Sequence, residues 1–208
     1  MKTTILFQGD SITDCGRAAA PAAGYSNGGM GPGYAGLVMA RTMRDHPARD
    51  WNFLNRGISG NRIVDLYARW RVDCINLEPD VLSILIGVND VWHEKNSNGV
   101  EAPRFERFYR ELLTWTKAER PAIRLVVLEP FLCMSPDAAT EMLPEVVKRA
   151  EVAKAVAQDF GAAFVPLQRL FDEASRQAPP THWSADGVHP TAAGHQLIAD
   201  AWLAAMPL

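Results

Sequence analysis

Short runs of apolar residues alternate along this chain with longer stretches whose apolar positions recur every three or four residues. Five of the runs read as strands: Thr4 to Gln8, Asn52 to Asn55, Val81 to Ile86, Arg124 to Leu128 and Ala163 to Val165. Several are apolar almost throughout instead of at every second position, the pattern of a strand covered on both faces. Between them, Ile63, Leu66, Tyr67, Trp70 and Cys74 keep helical spacing, as do Phe105 to Leu113 and the residues from Leu143 to Phe160. A last helix carries Leu197, Ile198, Ala201, Trp202 and Ala205, with Thr191 placed to cap its start. Strand and helix in alternation predict the α/β class: one parallel sheet with helices on both faces.

One stretch breaks the rhythm. From Cys15 to Gly33 the chain is rich in Gly, Ala and Pro and has no period. An ordinary connection from strand to helix needs only about 2 to 6 residues, so this loop is expected to serve the site or a contact between subunits. The 208 residues otherwise fit one domain, 1–208, with one sizeable core. A net charge of -3, with both signs interspersed, leaves no basic stripe for nucleic acid. The apolar patch Ile5 to Phe7 is too short for a leader, and no window approaches the roughly 20 apolar residues that span a bilayer, so a cytoplasmic protein without a membrane partner is expected. Cys15, Cys74 and Cys133 are far apart and read as free thiols. The cluster Glu101, Arg104, Glu106, Arg107, Arg110 and Glu111 reads as a solvated helix face.

Four segments stand out chemically: Gly9-Asp10-Ser11-Ile12-Thr13, Asn55-Arg56-Gly57-Ile58-Ser59-Gly60-Asn61, Gly87-Val88-Asn89-Asp90 and Asp186-Gly187-Val188-His189-Pro190. Loops that leave the carboxyl ends of parallel strands converge in one crevice, so the first three are expected to meet there, with the fourth closing the site ahead of the last helix. Acyl transfer needs a nucleophile, a base, a group that orients the base, and donors for the oxyanion. Ser11, just past the first strand, supplies an exposed hydroxyl. His189 is the natural base, since imidazole titrates closest to neutrality. Asp186, three residues earlier in the same loop, can hold one ring nitrogen while the other faces Ser11. The backbone N–H groups of Ser11 and Gly60 and the amide of Asn89 are the candidate oxyanion donors.

These segments resemble the consensus blocks of the SGNH hydrolases, the GDSL esterase and lipase family, in the same order and over nearly the whole chain. The resemblance implies Ser11 as nucleophile, Asp186 and His189 as the rest of a triad, and Ser11, Gly60 and Asn89 around the oxyanion. It also implies a flavodoxin-like three-layer α/β/α fold with strand order 2-1-3-4-5 and no metal or organic cofactor. Asp10 to Arg17, Ala68-Arg69-Trp70 and Gly87 to Trp92 are further similar to the acetyl-xylooligosaccharide esterases of that family. By that resemblance the substrate would be an acetylated oligosaccharide and the protein a homo-oligomer.

Other readings attach to the same residues. Asn61, Asp90 and Trp92 either line the pocket or secure loop and core. Arg17, Trp70 and Trp183 are candidates to touch a sugar, although Trp70 lies on a core stripe. Asp10 reads as a turn-former, and His46, His93, His182 and His195 as surface or satisfied core residues. Short-chain lipase, lysophospholipase or thioesterase activity is the alternative within the family. A non-catalytic module cradling phosphate at the Gly9 and Gly87 loops, or a metal-dependent phosphoesterase built on Asp10, Asp90, Asp186 and His189, lies outside it.

Overall fold

The structure, a computed structural model, describes residues 2–18, 29–135 and 140–208. Its strands are β1 (Thr3–Gly9), β2 (Trp51–Asn55), β3 (Val81–Leu85), β4 (Arg124–Leu128) and β5 (Ala163–Val165). All pair in parallel, in the order 2-1-3-4-5, as the family resemblance implied. The helices in chain order are α1 (Ser11–Asp14), α2 (Tyr34–Asp45), α3 (Ile63–Asp73), α4 (Val88–Trp92), α5 (Ala102–Glu119), α6 (Leu143–Asp159), α7 (Leu167–Ala174), α8 (Pro180–Trp183) and α9 (Ala192–Ala205).

The sheet divides the expected single core into two apolar clusters. Ile5, Phe7, Val126 and Leu128 point to one face, where α2 and α9 pack; Leu6, Leu82, Ile84, Leu125 and Val127 point to the other, under α3, α5 and α6. Successive side chains of one strand thus serve opposite layers, which explains why stretches such as Ile5 to Phe7 and Leu125 to Leu128 are apolar at consecutive positions. Each layer carries a fully buried tryptophan whose indole N–H is satisfied: Trp202 donates to Ser83 Oγ at 3.0 Å and Trp70 to Thr116 Oγ1 at 2.9 Å. Trp70 is therefore core and does not reach a substrate. Thr191 caps α9 as expected, its hydroxyl accepting from the Gly194 N–H.

Helices α7 and α8 lie outside the periodic stripes read from sequence. Residues 19–28 of the glycine-rich loop lie outside the described residues, so its expected role at a site or subunit contact is not addressed by the fold. Among the described residues no helix is long and apolar enough to cross a membrane.

Candidate active site

With β2 on one side of β1 and β3 on the other, the chain reverses its direction of travel across the sheet at β1, and the loops leaving these three strands share one crevice. The turn after β1 is tight. A Cβ at Gly9 would collide with the Thr13 side chain and the Leu85 carbonyl, so only glycine fits. Asp10 then caps α1, its Oδ1 accepting from the Ile12 N–H at 3.0 Å, which is the turn-forming role read from sequence. Ser11 opens that helix, where the backbone N–H has no partner within the helix.

The loop between β2 and α3 is tied to the nucleophile segment at several points. Asp14 Oδ2 accepts from Ser59 N at 3.0 Å and Ser59 Oγ at 2.7 Å. Ile58 N donates to Gly9 O at 3.1 Å, and Asn61 N to Ile58 O at 3.1 Å. Arg69 reaches from α3 to Asn61 Oδ1 at 2.9 Å and holds Asp73 at 3.1 Å. Within this network the Gly60 N–H has no hydrogen-bond partner among the described residues, and Gly60 takes φ +82° with nothing within 4 Å of the place a Cβ would occupy. Asn89, on α4 after β3, donates one amide hydrogen to Asn61 O at 3.2 Å. That bond orients the amide and leaves its second hydrogen free.

The fourth segment is folded back on itself. An antiparallel bridge joins Ser184 to Pro190, Ser184 Oγ donates to His189 O at 3.0 Å, and Cys133 N donates to Gly187 O at 2.8 Å. Asp186 Oδ1 accepts from the N–H groups of Val188 and His189, at 2.9 and 2.7 Å, while Oδ2 lies 2.6 Å from His189 Nδ1. Partial burial works to raise the Asp186 carboxyl, but those three hydrogen bonds outweigh it and hold the group below the ordinary carboxylate range. As an ionised acceptor it fixes the proton on Nδ1. His189 Nε2 is then the bare nitrogen, and it sits 2.8 Å from Ser11 Oγ. The arrangement can draw the hydroxyl proton onto Nε2 while the carboxylate steadies the resulting imidazolium. Side-chain exposures of 54% for His189 and 50% for Asp186 leave this pair beside an open approach.

A second imidazole lies close by without this capacity. His195 Nδ1 accepts from Tyr34 N at 3.2 Å, so its Nε2 carries the hydrogen and points it at Cys15 Sγ, 3.3 Å away. Burial depresses His195 to about 4 and raises the Cys15 thiol, so neither ionises to help the other.

Of the candidate substrate contacts, Asp90 is corrected by its burial. It is fully buried and accepts from the Ile63 N–H at 3.1 Å, securing the start of α3. Asn61 is engaged through its side chain and its carbonyl, as above. The Arg17 Nε–H donates to the Gly57 carbonyl. Trp92 is half-buried, with Lys95 Nζ 4.0 Å over its ring, and Trp183 is half-buried. The metal-site reading finds no assembled donors: among the described residues no group of three or more His, Cys, Asp or Glu is placed to hold an ion. Sequence reasoning missed the clamp on the Gly60 loop, formed by Asp14 and Arg69 and by His93, whose Nε2 lies 3.2 Å from Gly60 O.

Burial raises the Asp90 carboxyl to about 7 against the opposing pull of Ile63 N–H and Arg149. From the ordinary carboxylate range up to that value, the folded protein keeps a proton that the unfolded chain has lost, so this group makes stability fall as pH rises. Each unit of displacement corresponds to about 1.4 kcal/mol. Asp90→Asn is therefore expected to gain melting temperature relative to the wild type on going from about pH 5 to about pH 8. Thermal melts of both proteins at the two pH values measure it; an equal difference at both would show that Asp90 does not titrate in this window.

Comparison with known proteins agrees with this geometry. The model of the GDSL-like lipase/acylhydrolase family matches residues 7–197. An acetylxylan esterase of Geobacillus stearothermophilus is 35% identical over 204 residues, covering 96% of this chain and 91% of the relative. The crystal structure of Axe2, an acetylxylan esterase from that organism, superposes with a TM-score of 0.88 at 34% identity, over 99% of this chain and 94% of the other. A GDSL-like protein from Parabacteroides merdae superposes with a TM-score of 0.92 at 39% identity, over 98% and 94% of the two chains. Matches that run from within the first strand into the last helix place the chain in the GDSL-like lipase/acylhydrolase family, as a carboxylic ester hydrolase.

Proposed function

We propose that this enzyme removes acetyl groups from acetylated xylo-oligosaccharides through an acyl-enzyme on Ser11. Ser11 Oγ attacks the ester carbonyl carbon as His189 Nε2 takes its proton. The carbonyl oxygen becomes an oxyanion received by the N–H groups of Ser11 and Gly60 and the free amide hydrogen of Asn89. The C–O bond to the sugar then breaks, and the imidazolium returns the proton to the departing alkoxide. In the second half a water molecule gives a proton to His189 and attacks the acetyl carbon, releasing acetate and restoring Ser11.

The observation that carries the reading is the ordered relay: Ser11 Oγ to His189 Nε2 at 2.8 Å, and His189 Nδ1 to Asp186 at 2.6 Å. The Gly60 loop is tied to the Ser11 segment through Ser59 and Ile58, and an N–H there without a partner among the described residues supplies a candidate oxyanion donor that a merely structural serine would not need. The sugar acceptor is supported by the acetylxylan esterases among the relatives, and by the half-exposed histidine and aspartate, which leave room for a bulky alcohol.

Acetate release from an acetylated xylo-oligosaccharide, set beside 4-nitrophenyl esters of increasing chain length, tests the substrate. The expected result is the highest kcat/KM on the sugar and a fall in kcat/KM as the acyl chain lengthens. An inert sugar with efficient cleavage of long-chain esters would overturn the acceptor and favour the lipase reading, while leaving the chemistry on Ser11 standing.

A further inference from the structure

We infer that His93 is a positioning residue of the oxyanion hole: its imidazole, hydrogen-bonded to the Gly60 carbonyl, steadies the Gly60–Asn61 peptide and so limits, through the Gly60 Cα, the orientations open to the Gly60 N–H. The inference rests on the oxyanion role given above to Gly60. His93 Nε2 lies 3.2 Å from Gly60 O. A carbonyl has no hydrogen to give, so the imidazole is the donor and Nε2 carries the proton.

The need for such a tether follows from the loop. Ser59 is fixed by Asp14, and Asn61 by Ile58, Arg69 and Asn89, so both neighbours of Gly60 are anchored. Gly60 itself has no side chain and a positive φ of +82°, so the rotation between its two peptides is the freedom that this anchoring leaves. Its N–H must nevertheless point at one spot. An oxyanion donor acts only within about 2.7 to 3.1 Å of the developing charge. Two bonds hold the peptide that follows Gly60, Asn61 N–H to Ile58 O on one edge and His93 to Gly60 O on the other, and the Gly60 N–H turns against that peptide about the Gly60 Cα.

The placement of His93 is also economical. It continues the turn of α4 four residues after Asn89, on the same face. One helical face therefore governs two donors, Asn89 directly and Gly60 through the imidazole. Substrate in the ground state makes little demand on this alignment, so its loss should appear in turnover more than in binding.

The test measures kcat and KM on 4-nitrophenyl acetate for His93→Ala, His93→Gln, Gly60→Ala and the double variant His93→Ala/Gly60→Ala, with melting temperatures to confirm folding. His93→Ala is expected to lower kcat about 10- to 100-fold with KM changed less than about twofold. His93→Gln, whose amide can donate from the place of Nε2, should recover most of that loss. In the Gly60→Ala background, removing His93 should cost little more, because the donor it serves is already misplaced. Full kcat in His93→Ala would overturn the inference, as would a loss of equal size in the Gly60→Ala background or no recovery by glutamine. Full activity in Gly60→Ala, which keeps the backbone N–H, would overturn the premise that the aim of this donor is easily lost, and this inference with it. A loss confined to the His93 arm of the experiment would leave the acyl-enzyme mechanism intact.

Discussion

Ser11→Ala is expected to lower kcat on 4-nitrophenyl acetate by roughly 10⁴-fold or more, with the melting temperature within about 2 °C of the wild type. The two halves of that expectation come from different atoms. The hydroxyl is the group within reach of His189 Nε2, at 2.8 Å, and nothing replaces it when it is removed. The fold around it hangs on other bonds: Asp10 caps α1 through its own side chain, and Asp14 N and Cys15 N close the turn on the carbonyls of Asp10 and Ser11. Alanine preserves all of these and suits a helix. Steady-state rates and a thermal melt on the same preparation test both halves. Turnover close to wild type would mean another nucleophile. Cys15 is a poor substitute, because its imidazole neighbour gives it a hydrogen instead of taking one.

Asp186→Asn should be almost as damaging, by roughly 10³- to 10⁴-fold in kcat, although it alters a single atom. The two backbone N–H groups of Val188 and His189 converge on Oδ1, so an asparagine will set its carbonyl oxygen there. Its NH₂ then occupies the place of Oδ2, 2.6 Å from His189 Nδ1, where two donors would face each other. The imidazole relieves the clash by moving its hydrogen to Nε2, which leaves the nitrogen opposite Ser11 unable to accept a proton. Steady-state kinetics on the same ester, with the ring tautomer read from nitrogen chemical shifts, would check this. Near-normal kcat with the hydrogen still on Nδ1 would contradict it.

What could be read from sequence and what could not divides along a physical line. Strands β4 and β5 coincide with the runs Arg124 to Leu128 and Ala163 to Val165, because a strand covered on both faces, as Leu125 to Leu128 is, shows a continuous apolar run. The pairing of Asp186 with His189 was legible because both lie in one turn. That the loops carrying Ser11, Gly60 and Asn89 lie together was legible because the ends of neighbouring parallel strands converge. By contrast, the His93 contact joins a side chain to a carbonyl of a distant loop, and any residue has a carbonyl. Its one signal was spacing: four positions after Asn89, hence on the same helical face. Asp90 misled for the related reason that a carboxylate beside a site residue looks available, whereas the helix turns it inward to the Ile63 N–H. The short helices α7 and α8, one of them beginning at Pro180, offered too few turns for a period to show.

The half-exposed histidine and aspartate have a consequence for the fate of the acyl group that the proposed mechanism places on Ser11. An acyl-serine that forms beside such an open approach is not reserved for water. Any hydroxyl that reaches His189 can surrender its proton there and collect the acetyl, so the two acceptors compete according to their concentrations and their fit. In dilute solution water prevails and the enzyme hydrolyses. On the proposed mechanism, a concentrated alcohol is expected to take part of the acyl group in place of water, so that the open approach sets how the ester's acyl group is shared between hydrolysis and transfer.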